Sequence, residues 1–118
     1  MLISTWNVNS VRAREERVLA FLERHEPDVV CLQEIKTETT SFPYEALDKA
    51  GYYCAVHGQK TYNGVAILSR EKPAEVESGW PEGPHDMQAR LITATCGGIR
   101  IVCIYVPNGK TVGSEAYS

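Results

Sequence analysis

The sequence predicts an α+β domain in which strands outnumber helices, and three observations carry that expectation. A β-prone run, a helical run and a second apolar run follow one another over residues 2 to 34, the order of a strand-helix-strand crossover. Two further runs flank Gly97-Gly98, a strong two-residue hairpin signal. Five or six strands are matched by only two helices, so some sheet surface must be buried by something other than those helices.

Leu2 to Val8 reads as the first strand. Ser10 is the N-cap region of a helix running to about His25, with Val18, Phe21, Leu22 and His25 spaced on one face. His25 is expected there as a partly buried face residue, not a ligand. Pro27-Asp28 ends the helix, and Val29 to Glu34 is a near-continuous apolar run suited to a strand buried on both faces. Pro43 to Ala50 reads as a short helix stopped by Gly51. Tyr52 to Val56 and Gly64 to Ser69 read as strands joined by a polar loop from His57 to Asn63. Glu71 to Asp86, acidic and rich in Pro and Gly, reads as mostly loop. With Gly97-Gly98 as the turn, Cys96 faces Ile99, Ala94 faces Ile101, Ile92 faces Cys103 and Arg90 faces Tyr105. Ser114 looks like a helix cap with no helix following it.

At 118 residues the chain is at most one domain. No apolar run approaches the roughly 18 residues of a membrane span and the N-terminus has no signal-peptide pattern, so a soluble, cytoplasmic protein is expected. Cys31, Cys54, Cys96 and Cys103 show no C-x-x-C spacing and lie in expected strands, which points to buried apolar roles and away from zinc or a disulfide framework. The net charge of −3 argues weakly against a nucleic-acid partner. Its distribution argues the other way, because residues 1 to 14, 49 to 70 and 87 to 114 hold no acid yet carry Arg12, Arg14, Lys49, Lys60, Arg70, Arg90, Arg100 and Lys110. Were those segments to converge, they would present a positive surface to a phosphate backbone.

Two strand ends carry chemistry. Asn7 and Glu34 each terminate a β-prone run, and adjacent strands would deliver both to one sheet edge. Oxygen ligands of this kind suit Mg²⁺, which is held by one or two carboxylates plus substrate phosphate; a solvated strand-end carboxylate is the plain alternative. Arg90 and Tyr105 end the open side of the hairpin and mark a second candidate site, or an ordinary Arg packed on Tyr.

Six blocks together resemble the N-terminal half of the exonuclease III family, the bacterial-type apurinic/apyrimidinic endonucleases. They are Trp6 to Ala13, Leu32-Gln33-Glu34-Ile35-Lys36, His57-Gly58-Gln59-Lys60, Tyr62 to Ser69, Gln88-Ala89-Arg90 and Tyr105-Val106-Pro107-Asn108-Gly109. The resemblance implies half of a four-layer α/β/β/α sandwich of the DNase I type, with residues 1 to 118 as one portion of a single domain whose other half is missing. It implies a metal site at Glu34 with Asn7 beside it, loaded with Mg²⁺ or alternatively Mn²⁺. It also implies Tyr105 at the scissile phosphate, with Asn9, Arg12, Lys36, Tyr62, Arg90 and Asn108 as phosphate or DNA contacts.

The implied reaction is hydrolysis of a phosphodiester in double-stranded DNA, 5′ to an abasic site or at a 3′ end, by a monomeric base-excision-repair enzyme. The family's Asp-x-Asn motif and its C-terminal Asp-His pair are absent, and His85-Asp86 has the wrong order and place to substitute. Residues 1 to 118 are therefore expected to be catalytically silent alone. Two other readings compete: another phosphoesterase of the same superfamily, or a non-catalytic piece with weak DNA or metal binding.

Overall fold

Val30 and Leu32 turn to one side of their strand and Val29 and Cys31 to the other, and all four are buried. This two-sided burial sets the layering. The computed structural model describes residues 1 to 79 and 89 to 106. The expectations attached to His85, Asp86, Asn108 and Ser114 fall outside the described residues.

The elements in chain order are β1 (Ile3–Asn7), α1 (Glu15–His25), β2 (Val29–Gln33), a 3₁₀ turn (Thr39–Ser41), α2 (Tyr44–Lys49), β3 (Tyr53–His57), β4 (Val65–Ser69), β5 (Ala74–Ser78), β6 (Leu91–Cys96) and β7 (Ile99–Ile104). The first sheet has the order β1-β2-β4-β3, with β1 and β2 parallel across the α1 crossover and the other pairs antiparallel. A second, antiparallel sheet has the order β5-β6-β7.

On one face of the first sheet, Val30, Leu32, Ala66 and Leu68 meet Val18 and Leu22 of α1 and Leu47 of α2. On the other, Val29, Cys31, Val65 and Ile67 meet Ile92, Ala94, Ile101 and Cys103 of the second sheet. The α+β class holds. Much of the sheet surface left over by the helices is covered by the chain's own β6-β7 hairpin, whose alternating inward residues form that second cluster.

The hairpin register is the one its turn predicts: Cys96 pairs with Ile99, Ala94 with Ile101 and Ile92 with Cys103, and the ladder runs on as the Tyr105 N–H donates to the Arg90 carbonyl. The helix begins later than expected. Ser10 caps a turn, its Oγ accepting from the Ala13 N–H at 3.3 Å, and α1 proper starts at Glu15. His25 is exposed and lies against the Phe21 ring, with centroids 4.8 Å apart.

Part of the expected loop is a strand. β5 is exposed at every position, so it carries no apolar alternation, and it exists because it pairs with β6. Arg100 holds it across the sheet, donating to the Glu75 carbonyl at 2.7 Å and to Glu77 Oε1 at 2.7 Å.

Three of the basic residues of the acid-free segments are each taken up by an acid: Lys49 pairs with Glu45, Arg70 with Glu26 and Arg100 with Glu77. Arg70 follows β4 and Arg100 adjoins the hairpin turn, both at the end of the sheets opposite Asn7 and Tyr105.

Candidate active site

The parallel pairing of β1 and β2 sets Asn7 against Gln33 in register, which brings the Asn7 side chain to Glu34 one residue beyond. Asn7 Nδ2 donates to Glu34 Oε2 at 2.5 Å. Lys36 Nζ lies 3.9 Å from Glu34 Oε1 and donates to Asn9 Oδ1 at 2.5 Å, while the Asn9 N–H donates to Asn7 Oδ1 at 3.2 Å. Asn7, Glu34, Lys36 and Asn9 thus close a ring of polar contacts that fixes the carboxylate. About a quarter of the Glu34 side chain stays open, at 24% exposure.

The backbone around this ring is bent. Asn9, Ser10, Glu34, Lys36 and Asn63 all hold positive φ, between 47° and 87°. For residues with a Cβ that conformation costs of order 1 kcal/mol or more, asparagine being the most tolerant, and such residues cluster where a site requires them. The payoff here is direct: the left-handed turns at Glu34 and Lys36 end β2 and swing both side chains toward the rim.

The second sheet delivers the rest. Tyr105, just past β7, brings its phenol under the influence of the Glu34 carboxylate. Burial raises the phenol's pKa first, the nearby Glu34 carboxylate raises it further, and the Arg90 charge opposes them. The phenol is therefore a neutral donor at physiological pH and not a nucleophile. Arg90 stands across the hairpin from it, and its Nε–H is buried without a hydrogen-bond partner among the described residues. A buried guanidinium donor left unpaired costs about 1 to 3 kcal/mol until an acceptor arrives.

The site residues read from the sequence therefore divide. Asn7, Asn9, Glu34, Lys36, Arg90 and Tyr105 lie together at one end of both sheets. Arg12 lies apart, its guanidinium donating to the Ser41 carbonyl at 2.9 Å. Tyr62, at 67% exposure, stands on the loop between β3 and β4. Asn108 lies outside the described residues.

Among the described residues no group of three His, Cys, Asp or Glu side chains could hold a metal. The donor chemistry at Glu34 nonetheless fits a hard divalent cation, since Mg²⁺ keeps several waters and takes one or two carboxylates rather than a full protein cage. As oriented, Asn7 holds the carboxylate and its own oxygen faces the Asn9 amide.

A helix-covered mixed sheet packed on an antiparallel one, with carboxylate, amide, phenol and guanidinium gathered where the two sheets end, defines the class. The chain belongs to the Endonuclease/Exonuclease/phosphatase family, whose model matches residues 4–107. Within it the exonuclease III resemblance stands. The chain is 36% identical to exodeoxyribonuclease III of Haemophilus influenzae, over 98% of this chain and 45% of that protein. It superposes with a TM-score of 0.93 on a 3′ phosphatase from Neisseria bound to product DNA hairpin, at 44% identity over 99% of this chain and 46% of that one. The AP endonuclease from Archaeoglobus fulgidus gives a TM-score of 0.91 at 42% identity, over 99% and 46% of the two chains. The chain spans about half the length of the curated relatives it matches.

Proposed function

We propose that this chain supplies one side of the active site of a divalent-metal-dependent DNA-repair phosphodiesterase of the exonuclease III type. One observation carries the reading: Tyr105, from the second sheet, is acted on by both Glu34 at the end of the first and Arg90 beside it, whose buried Nε has no partner among the described residues. A carboxylate alone would repel a phosphodiester, and a guanidinium and phenol alone would bind any anion. Together they provide a cation site on one side of a phosphate and hydrogen-bond donors on the other.

Glu34, oriented by Asn7, would hold Mg²⁺ or Mn²⁺, which when bound supplies neutralisation of charge on the phosphate and the leaving oxygen. Arg90 Nε and the Tyr105 hydroxyl donate to the phosphoryl oxygens as charge develops on them. Lys36 and Asn9 keep the carboxylate from turning away. Double-stranded DNA with an abasic site or a 3′ end is the substrate class, with Arg12 and Tyr62 as outlying contacts and Asn108 as a further one, and the setting is the cytoplasm. Abasic nucleotides suit such a site because extruding them unstacks no base.

Residues 1 to 118 alone are catalytically silent in this reading, because their sequence contains no Asp-x-Asn motif to activate water and Glu34 is the carboxylate at the site. The test is incision of a duplex carrying a single tetrahydrofuran abasic analogue, with and without Mg²⁺. These residues joined to the remaining half of a family domain should cut it, and the chain alone should not. Metal-independent cutting, or full-rate cutting by the chain alone, contradicts the reading.

A further inference from the structure

We propose that Gln59 is a positioning residue that bridges the two sheets and sets Arg90 against Tyr105 and Glu34, an inference that rests on the phosphate-site reading above. Glu34 and Arg90 belong to different sheets, so something must fix their separation. The core joins the sheets through apolar packing and the weak contacts of the Cys103 thiol with Gln33 and the Leu32 and Ala66 carbonyls. At the rim the link is polar and runs through the loop between β3 and β4.

The Gln59 N–H donates to the Thr37 carbonyl at 3.0 Å, which ties it to the segment that leaves β2 through Glu34 and Lys36. Its side chain reaches the other way: Oε1 accepts from the Ala89 N–H at 2.9 Å and from Asn63 Nδ2 at 3.2 Å. The Ala89 carbonyl in turn accepts from the Gly64 N–H at 2.7 Å. Both backbone polar groups of Ala89, the residue before Arg90, are thus held by one loop of the first sheet. The same loop closes on the carboxylate segment, since the Asn63 and Gly64 carbonyls accept from the Lys36 and Ile35 N–H groups. Gly58 makes the bridge sterically accessible: a Cβ there would sit 2.3 Å from the Thr37 carbonyl oxygen, so only glycine lets the loop approach closely enough for Gln59 to span both sides.

The experiment compares Gln59→Met, which keeps the volume and removes the acceptor, with Gln59→Glu, which keeps an acceptor oxygen at the same reach. Gln59→Asn, one methylene short, stands in for the methionine variant should that one fail to fold. Two signals are read by NMR on the 118-residue chain. The first is hydrogen exchange at the Ala89 amide, and the second is the shift of the Arg90 Nε–H during titration with inorganic phosphate.

Gln59→Met should speed exchange at Ala89 at least about tenfold and weaken the phosphate response at Arg90 at least about fivefold, while Gln59→Glu restores slow exchange. Wild-type exchange at Ala89 in both Gln59→Met and Gln59→Asn overturns the bridge. Fast exchange with an unchanged phosphate response overturns the positioning role and leaves a merely structural one. An Arg90 that ignores phosphate in the wild-type chain, with Ala89 exchange still dependent on Gln59, removes the phosphate-site reading and the positioning role with it, and leaves the bridge standing.

Discussion

Glu34 carries the most chemistry for one side chain, because it is both the cation ligand of the proposed site and the carboxylate around which Asn7, Lys36 and Tyr105 gather. In an active enzyme containing these residues, Glu34→Ala should lower turnover at least about a hundredfold and flatten its Mg²⁺ dependence, with the circular dichroism spectrum unchanged. Near-normal turnover at millimolar Mg²⁺ would remove the assignment. Tyr105→Phe should lower kcat about ten- to a hundredfold with DNA affinity within about threefold, because a neutral phenol that bonds developing charge acts on the transition state. Equal turnover without the hydroxyl would make Tyr105 a packing residue. Cys54 offers a pH test away from the site. Burial, aided by the nearby Asp48 charge, raises its thiol pKa from 9.0 to about 12. A folded pKa above the unfolded value means stability is fully present below pH 9 and is lost as pH rises toward 12. Cys54→Ala should flatten that part of the alkaline stability profile, and urea unfolding at several pH values would show whether it does.

Elements differ in how far the sequence disclosed them. β2 and β4 were legible because strands buried on both faces read as unbroken apolar runs, and the β6-β7 register because Gly97-Gly98 admits one two-residue turn. The start of α1 was misplaced because Ser10 caps a turn that looks like a helix start in one dimension. β5 was missed because its residues carry no burial pattern; its partner strand and Arg100 hold it. Of the site, the strand-end residues could be placed from the runs they terminate, whereas the Gln59 bridge required knowing that two loops from different sheets meet. The His57-Gly58-Gln59-Lys60 block is its trace in the sequence. Gly58→Ala should therefore cost more than an ordinary loop substitution, about 2 kcal/mol or more, because the new Cβ meets the Thr37 carbonyl oxygen and Thr39 nitrogen at 2.3 and 2.6 Å. Chemical denaturation measures it, and a loss below about 0.5 kcal/mol would show that the loop gives way.

For the molecule as a whole, the first sheet is the shared wall of two apolar clusters, so neither layer can be loosened without the other. Ile67 is fully buried on that wall facing the second sheet, and Ile67→Ala should cost about 2 to 5 kcal/mol. That is a large share of the roughly 5 to 15 kcal/mol a domain possesses. The loss should appear in one cooperative transition; separate melting of the two sheets would contradict the shared wall. The β6-β7 hairpin covers the middle of the inner apolar face, at Val29, Cys31, Val65 and Ile67. Val102 and Ile104, apolar side chains that face outward on the second sheet, are 58% and 42% exposed.

The left-handed turns at the rim set what a laboratory selection would find. Ser10, Glu34 and Lys36 occupy backbone conformations that glycine adopts without a Cβ penalty. Passaged for heat resistance alone, the gene should accumulate glycine at Ser10 and Lys36, each change worth up to about 1 kcal/mol after the entropy glycine adds to the unfolded chain. Passaged for repair of abasic DNA, it should keep Lys36 and tolerate the strain. Divergence of the two lineages at this position would identify the rim as a place where durability and chemistry draw on the same few backbone angles.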